Sequence, residues 1–109
     1  MTEDEYEAVA RPELSALIRA LDELELPELE AELASDILTL EFADGARYVV
    51  NSHRAARQIW MAAELRAWHF DWIAERGRWI AAKSGDELWA TLEAALARRL
   101  KRSVTLPRR

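Results

Sequence analysis

The chain of 109 residues contains no cysteine. That absence excludes disulfides, thiolate metal sites, directly ligated iron–sulfur clusters and cysteine nucleophiles, and it fits a reducing compartment. Glycine is scarce, at three residues, so no glycine-rich phosphate loop can be assembled. Only two histidines occur, His53 and His69, and neither sits in a serine or aspartate constellation or near a nucleophile elbow. Asp71 stands two residues from His69, a spacing that reads as a surface pair rather than a catalytic one. No apolar run approaches the roughly 20 residues that span a bilayer. The opening residues, Met1-Thr2-Glu3-Asp4-Glu5, are acidic and carry no basic region followed by an apolar stretch, unlike a secretory or transit peptide. A soluble, cytoplasmic protein of one domain over residues 1–109 is expected.

Half the residues are hydrophobic and about a third are charged, a globular composition. The net charge of −5 conceals a strong polarity. Residues 1–46 hold 14 acids against Arg11 and Arg19, whereas residues 47–109 hold 6 acids against 13 bases. Such asymmetry focuses a field that attracts cations or basic partners. The dominant field repels phosphate, the chain has no recognisable nucleic-acid-binding motif, and neither a nucleic acid nor a membrane is expected as partner.

Apolar residues at Tyr6, Val9, Ala10, Leu14, Leu17, Ile18, Leu21 and Leu24 recur at three- and four-residue spacing, which predicts an amphipathic helix over 4–25. Pro12 lies within it. Either the helix bends there or residues 4–10 form a separate leading turn, and the stripe keeps its phase across the proline, which favours a bend. Pro27 marks the exit. Glu28-Leu29-Glu30-Ala31-Glu32-Leu33 then alternates with a period of two, as a half-buried strand does, although Glu, Leu and Ala also suit a helix. Its three glutamates would share the outer face, where aligned like charges repel.

Ile37–Phe42 and Arg47–Asn51 flank Asp44-Gly45, a hairpin signal. Ser52–Arg57 reads as a loop, Gln58–Ala62 as a strand, Trp68–Ile73 as the next and Arg78–Ala82 as a sixth. Alternation in these strands puts Tyr48, Val50, Ile59, Met61, Phe70 and Trp72 on a buried face. Asn51, Gln58, Trp60, His69 and Asp71 fall on the opposite face. An indole among polar groups there adds little to a core and suggests a contact surface. Ser84 and Glu87 are spaced as a capping box for a last helix, with Leu88, Trp89, Leu92, Leu96 and Leu100 inward, basic residues at its C-terminal end, and a tail from Ser103 to Arg109. Helix, about six strands and helix imply an α+β two-layer sandwich, both helices on one face of a mostly antiparallel sheet.

Candidate chemistry rests with the carboxylates. Glu3, Asp4 and Glu7 begin the first helix, Asp22, Glu23 and Glu25 end it, and Glu28, Glu30 and Glu32 line the adjoining strand. Hard cations prefer oxygen ligands, so such a ridge can bind iron, manganese, calcium or magnesium, with modest affinity and sensitivity to salt. It can equally dock a basic protein surface.

Tyr48-Val49-Val50-Asn51, Gln58-Ile59-Trp60, His69-Phe70-Asp71-Trp72, Gly77-Arg78-Trp79-Ile80 and a closing tryptophan-containing helix together resemble the frataxin family in its bacterial form, over essentially the whole chain. The resemblance implies a two-helix, six-stranded sandwich without enzymatic activity. It implies weak binding of ferrous and ferric iron in iron–sulfur cluster assembly, and docking on a cysteine desulfurase and a cluster scaffold protein, by a monomer that can oligomerise with iron. Carried over by position, the iron ridge is Glu3, Glu7, Asp22, Glu23, Glu25, Glu28, Glu30 and Glu32, and the partner-binding face is Asn51, Gln58, Trp60 and His69. Ile18 and Arg19 stand where the family often has further acids, and the segment after Asn51 lacks the proline common there.

Overall fold

The computed structural model describes residues 1–108. Helix α1 runs Glu3–Leu24. It begins at Glu3 because Thr2 caps it: the Thr2 hydroxyl accepts the Glu5 amide at 3.0 Å, and the Glu5 carboxylate accepts the Thr2 amide at 2.6 Å. That reciprocal pair satisfies two otherwise orphaned donors. The helix is one continuous element through Pro12, so no separate leading turn exists. Proline deprives the Ala8 carbonyl of its helical donor; both residues are exposed, which leaves that carbonyl open to water. Tyr6, Ala10, Leu14, Leu17, Ala20 and Leu21 stay in phase and are buried.

Six strands follow: β1 Leu29–Ala34, β2 Ile37–Phe42, β3 Arg47–His53, β4 Gln58–Ala63, β5 Arg66–Ile73 and β6 Arg78–Ala81. They pair in chain order, every neighbour antiparallel. The alternating segment after Pro27 is thus a strand, at one edge of the sheet. Two-residue turns at Ser35-Asp36 and Glu64-Leu65 place both residues at positive φ, the geometry that matches the twist of a hairpin. Gly45, at φ +91°, supplies the turn between β2 and β3.

The inner face of the sheet packs against α1 and α2 (Leu88–Leu100). Leu38, Leu40, Tyr48, Val50, Ile59, Met61, Phe70 and Trp79 meet Tyr6, Leu14, Leu17, Leu88, Leu92 and Leu96, each almost wholly excluded from solvent. Burying a side chain of this size contributes about 1.5–3 kcal/mol. Trp72, expected in this set, is half-buried and tilts against Trp79 with ring centroids 5.4 Å apart.

Strand β5, expected from Trp68, begins two residues earlier at Arg66, and two further boundaries differ from the sequence expectation. Strand β3 continues through Ser52 and His53, and only residues 54–57 leave the sheet, as a single 3₁₀ turn over Arg54–Ala56 closed by Arg57. The last helix is not opened by Ser84 and Glu87 as a capping box. Ala81 donates its amide to the Asp86 carbonyl and Ile80 bridges Glu87, so residues 86–87 are held extended against β6. The helix starts at Leu88, capped by the Glu87 carboxylate, which accepts the amides of Trp89 and Ala90 at 2.9 and 3.1 Å. Beyond α2 the chain folds back. Leu106 is buried and donates its amide to Glu93, and Arg108 lies over the Trp89 ring and pairs with Glu87. Arg109 lies outside the described residues.

Candidate functional site

The carboxylates singled out in the sequence divide into groups. Helix α1 is 22 residues long, about 33 Å at 1.5 Å per residue, so Glu3 and Glu7 lie at the opposite end from Asp22 and Glu25. Glu3 faces Arg54 at 3.7 Å and Arg57 at 4.0 Å, while Glu7 faces Arg11 at 3.3 Å and Arg54 at 3.5 Å. Three arginines thus offset the negative charge at that end. Glu28 reaches Arg102, just beyond α2, in a two-pronged pair. Hydrogen bonding from Arg102 holds the Glu28 carboxyl below its ordinary pKa.

The remaining acids behave differently. Asp22 of α1 and Glu25, its C-cap, line one groove with Glu30 of β1, together with Leu21, Leu26, Leu29 and Ala31. Glu30 and Glu32 are exposed on the open face of the sheet. Glu30 stands directly opposite Glu41, and Glu41 is engaged by Arg47 at 2.9 Å. Among the described residues, Asp22, Glu25, Glu30 and Glu32 form no ion pair. Glu23 lines a second groove on α1 that it shares with Asp22, flanked by Arg19, Ala20 and Pro107.

The fold therefore brings Asp22, Glu25 and Glu30 to one groove with Glu32 further along the same edge strand, leaves Glu23 beside Asp22 on the flank of α1, and pairs Glu3, Glu7 and Glu28 with arginines. Among the described residues no three carboxylates or histidines converge to enclose a metal. What the edge offers is open oxygen chemistry: hard donors, a concentrated negative field and free coordination positions for water.

Asn51, Gln58, Trp60 and His69 do meet on the open sheet face. Asn51 pairs with Trp60 in register across β3 and β4, and Trp60 pairs with His69 across β4 and β5. The Trp60 indole N–H donates to Gln58 Oε1 at 2.8 Å, and Gln58 Nε2 donates to Asp71 at 3.0 Å. Asp71 is therefore spent on Gln58 rather than on His69. His69 lies flat on one face of the indole, with centroids 4.2 Å apart and planes 12° apart. His53 covers the other face at 3.7 Å and 18°. Sequence reasoning left His53 out because the strand was ended at Asn51. The available signal was parity: had β3 been carried two residues further, Asn51 and His53 would share a face.

Among the described residues, no helix is long and apolar enough to cross a membrane.

The frataxin-like domain model matches residues 1–102. An iron–sulfur cluster assembly protein CyaY of Ralstonia nicotianae is 34% identical over 97% of this chain and 95% of its own length. Another of that name, from Tolumonas auensis, is 30% identical over 97% and 99%. Among solved structures, frataxin from Psychromonas ingrahamii superposes with a TM-score of 0.85 at 26% identity, covering 95% of this chain and 96% of that one. Yeast frataxin gives 0.73 at 27% identity, covering 90% and 82%. Two helices on one face of a six-stranded antiparallel meander, the Asn51–Trp60–His69 face and these matches agree: the chain belongs to the frataxin family.

Proposed function

We propose that this protein serves iron–sulfur cluster assembly as an iron carrier and a modulator of cysteine desulfurase. The relatives named above bear that assembly role in their names. The observation that carries the reading is the set of carboxylates without ion-pair partners among the described residues, Asp22, Glu25, Glu30 and Glu32, at the edge where α1 and β1 meet. Iron is cargo here, not a resident cofactor. Open carboxylates hold ferrous or ferric iron loosely, with exchangeable water, and release it to stronger ligands. Elsewhere on the proposed ridge, Glu3, Glu7 and Glu28 spend their charge on arginines, so they contribute mainly to the long-range field. The negative edge steers a basic desulfurase surface, while Asn51, Gln58, Trp60 and His69 dock the desulfurase–scaffold assembly. In this reading the protein acts as one cytoplasmic domain, monomeric until iron loads it, and non-enzymatic. Iron oxidation would call for a clamped two-metal site, which dispersed carboxylates do not favour.

A second reading is supported by the lack of converging ligands among the described residues: the edge is a metal-independent docking surface for a basic partner. One experiment separates the two. Iron titration and desulfurase inhibition are measured on the native chain and on a variant carrying Asp22→Lys, Glu25→Lys and Glu30→Lys. The carrier reading expects iron binding to vanish and the desulfurase response to lose its iron dependence. Iron binding equal to that of the native chain would sink it. Desulfurase inhibition that is lost in the variant yet insensitive to iron in the native chain would select the docking surface.

A further inference from the structure

The open sheet face holds one arrangement that neither the acidic edge nor the core explains. Trp60 is clamped on both sides, by His69 from β5 and by His53 from the last position of β3. His53 is also tied to the chain that follows it. Its Nδ1 accepts the amide of Ala56 at 3.3 Å, so the imidazole caps the 3₁₀ turn Arg54–Ala56 in the manner of an N-cap side chain. An accepting Nδ1 requires the neutral ring with its proton on Nε2. One side chain therefore does two things at once. It terminates β3 with a capped turn, and the same ring orientation lays it flat against the indole.

We propose that His53 is a positioning residue for the docking face. Through its cap and its stack it fixes the orientation in which Trp60 is displayed. The inference rests on the reading of Trp60 as a docking residue. Both faces of the indole are occupied and its N–H is spent on Gln58, so a partner meets a pre-oriented ring edge and does not have to order it on binding. Pre-orientation of this kind raises affinity by removing an ordering cost. The cap and the ring angle are fixed together, because the nitrogen that accepts from Ala56 belongs to the ring that stacks on the indole. The charged groups about this turn are Arg54 and Arg57 on it, Glu3 and Glu7 from α1, Arg11 and Asp36 near them, and His69 and Asp71 across the sheet. Glu3 and Glu7 are engaged by Arg54, and Asp71 accepts from Gln58.

Substitutions at position 53 separate the two roles. His53→Phe keeps a ring for the stack and discards the cap; His53→Asn keeps an acceptor for the cap and discards the ring. In the free protein, the Trp60 indole N–H resonance is followed by NMR at pH 8, together with the Ala56 amide. Binding to a purified cysteine desulfurase–scaffold complex is measured beside it. The Ala56 amide resonance is expected to shift in His53→Phe, which lacks the acceptor, and to stay near its native position in His53→Asn, which keeps one. His53→Ala and His53→Asn should displace the indole resonance at pH 8 and weaken partner binding about three- to tenfold, the scale of one lost aromatic stack. His53→Phe, which keeps a ring for the stack, should bind near the native level. An indole resonance indifferent to His53→Ala overturns the positioning role, whatever the partner does. Native affinity in Trp60→Ala instead overturns the docking reading alone, since the indole and Ala56 resonances still judge His53.

Discussion

The Tyr48 hydroxyl, from the inner face of β3, donates to the Glu64 carboxylate at 2.8 Å, and Arg99 of α2 holds the same carboxylate at 2.8 Å. Arg99 also pairs with Asp44 and lies over the Phe42 ring. One guanidinium thus ties the β2–β3 turn, the β4–β5 turn and the second helix together.

That network sets a dependence of stability on pH. Desolvation, helped by the bond to Glu64, pushes the Tyr48 pKa up to about 12. Glu64 is held below the ordinary carboxylate range chiefly by the Tyr48 hydroxyl, and Asp44 chiefly by the Ala46 amide. A raised tyrosine stabilises fully below its unfolded value, about 10, and loses that contribution as pH rises through its folded value. Lowered carboxylates stabilise fully above about 4.5 and lose it as pH falls through theirs. Thermal unfolding should show a plateau between these limits with a fall on either side. Tyr48→Phe should blunt the alkaline fall, leaving the share that Tyr6, raised by burial, contributes. An alkaline limb identical in that variant would refute the assignment.

Leu65 is fully exposed at φ +65°, at the tip of the β4–β5 hairpin. A side chain there has left-handed backbone and no burial to offset it. Leu65→Gly is expected to stabilise the fold by about 0.5–1 kcal/mol, seen as a Tm higher by a few degrees. A lower Tm would show that the leucine makes a contact that matters.

Glu30 opposes Glu41 directly across β1 and β2. Replacing it by Lys turns a repulsive cross-strand pair into an attractive one, worth about 0.2–1 kcal/mol. The same change removes a carboxylate from the groove shared with Asp22 and Glu25. Chemical denaturation should therefore report a gain in stability while calorimetry reports weaker iron binding. If stability and iron affinity fall together, Glu30 holds the edge by some other contact.

Arg102 engages Glu28 and offsets its charge, which in the proposed carrier reading would keep it from iron. Arg102→Ala should leave Tm nearly unchanged, as exposed pairs contribute little, and should strengthen iron binding at low ionic strength. Equal iron affinity before and after would mean that Glu28 lies too far from the bound ion to feel it.

Much of the fold is visible in local pattern. Period-two runs such as Tyr48–Asn51 and Gln58–Met61 specify strands and sort their residues between faces, because alternation is a property of extended backbone itself. Trp60 is recognisable as a surface indole for that reason. The start of α2 was misplaced because Ser84 and Glu87 satisfy a local spacing rule, while long-range pairing with β6 holds residues 86–87 extended. His53 was missed because the end of a strand depends on what its neighbour offers, here Gln58 in register.

Taken alone, the order of residues determined the element types, the polarity of charge and the two faces of the sheet, since each follows from periodicity and composition over short stretches. Which carboxylates remain open was decided by tertiary structure. Arg54, Arg57 and Arg102 reach Glu3, Glu7 and Glu28 from 47 or more positions along the chain. An ion pair depends on distance in space, and no local pattern encodes that distance.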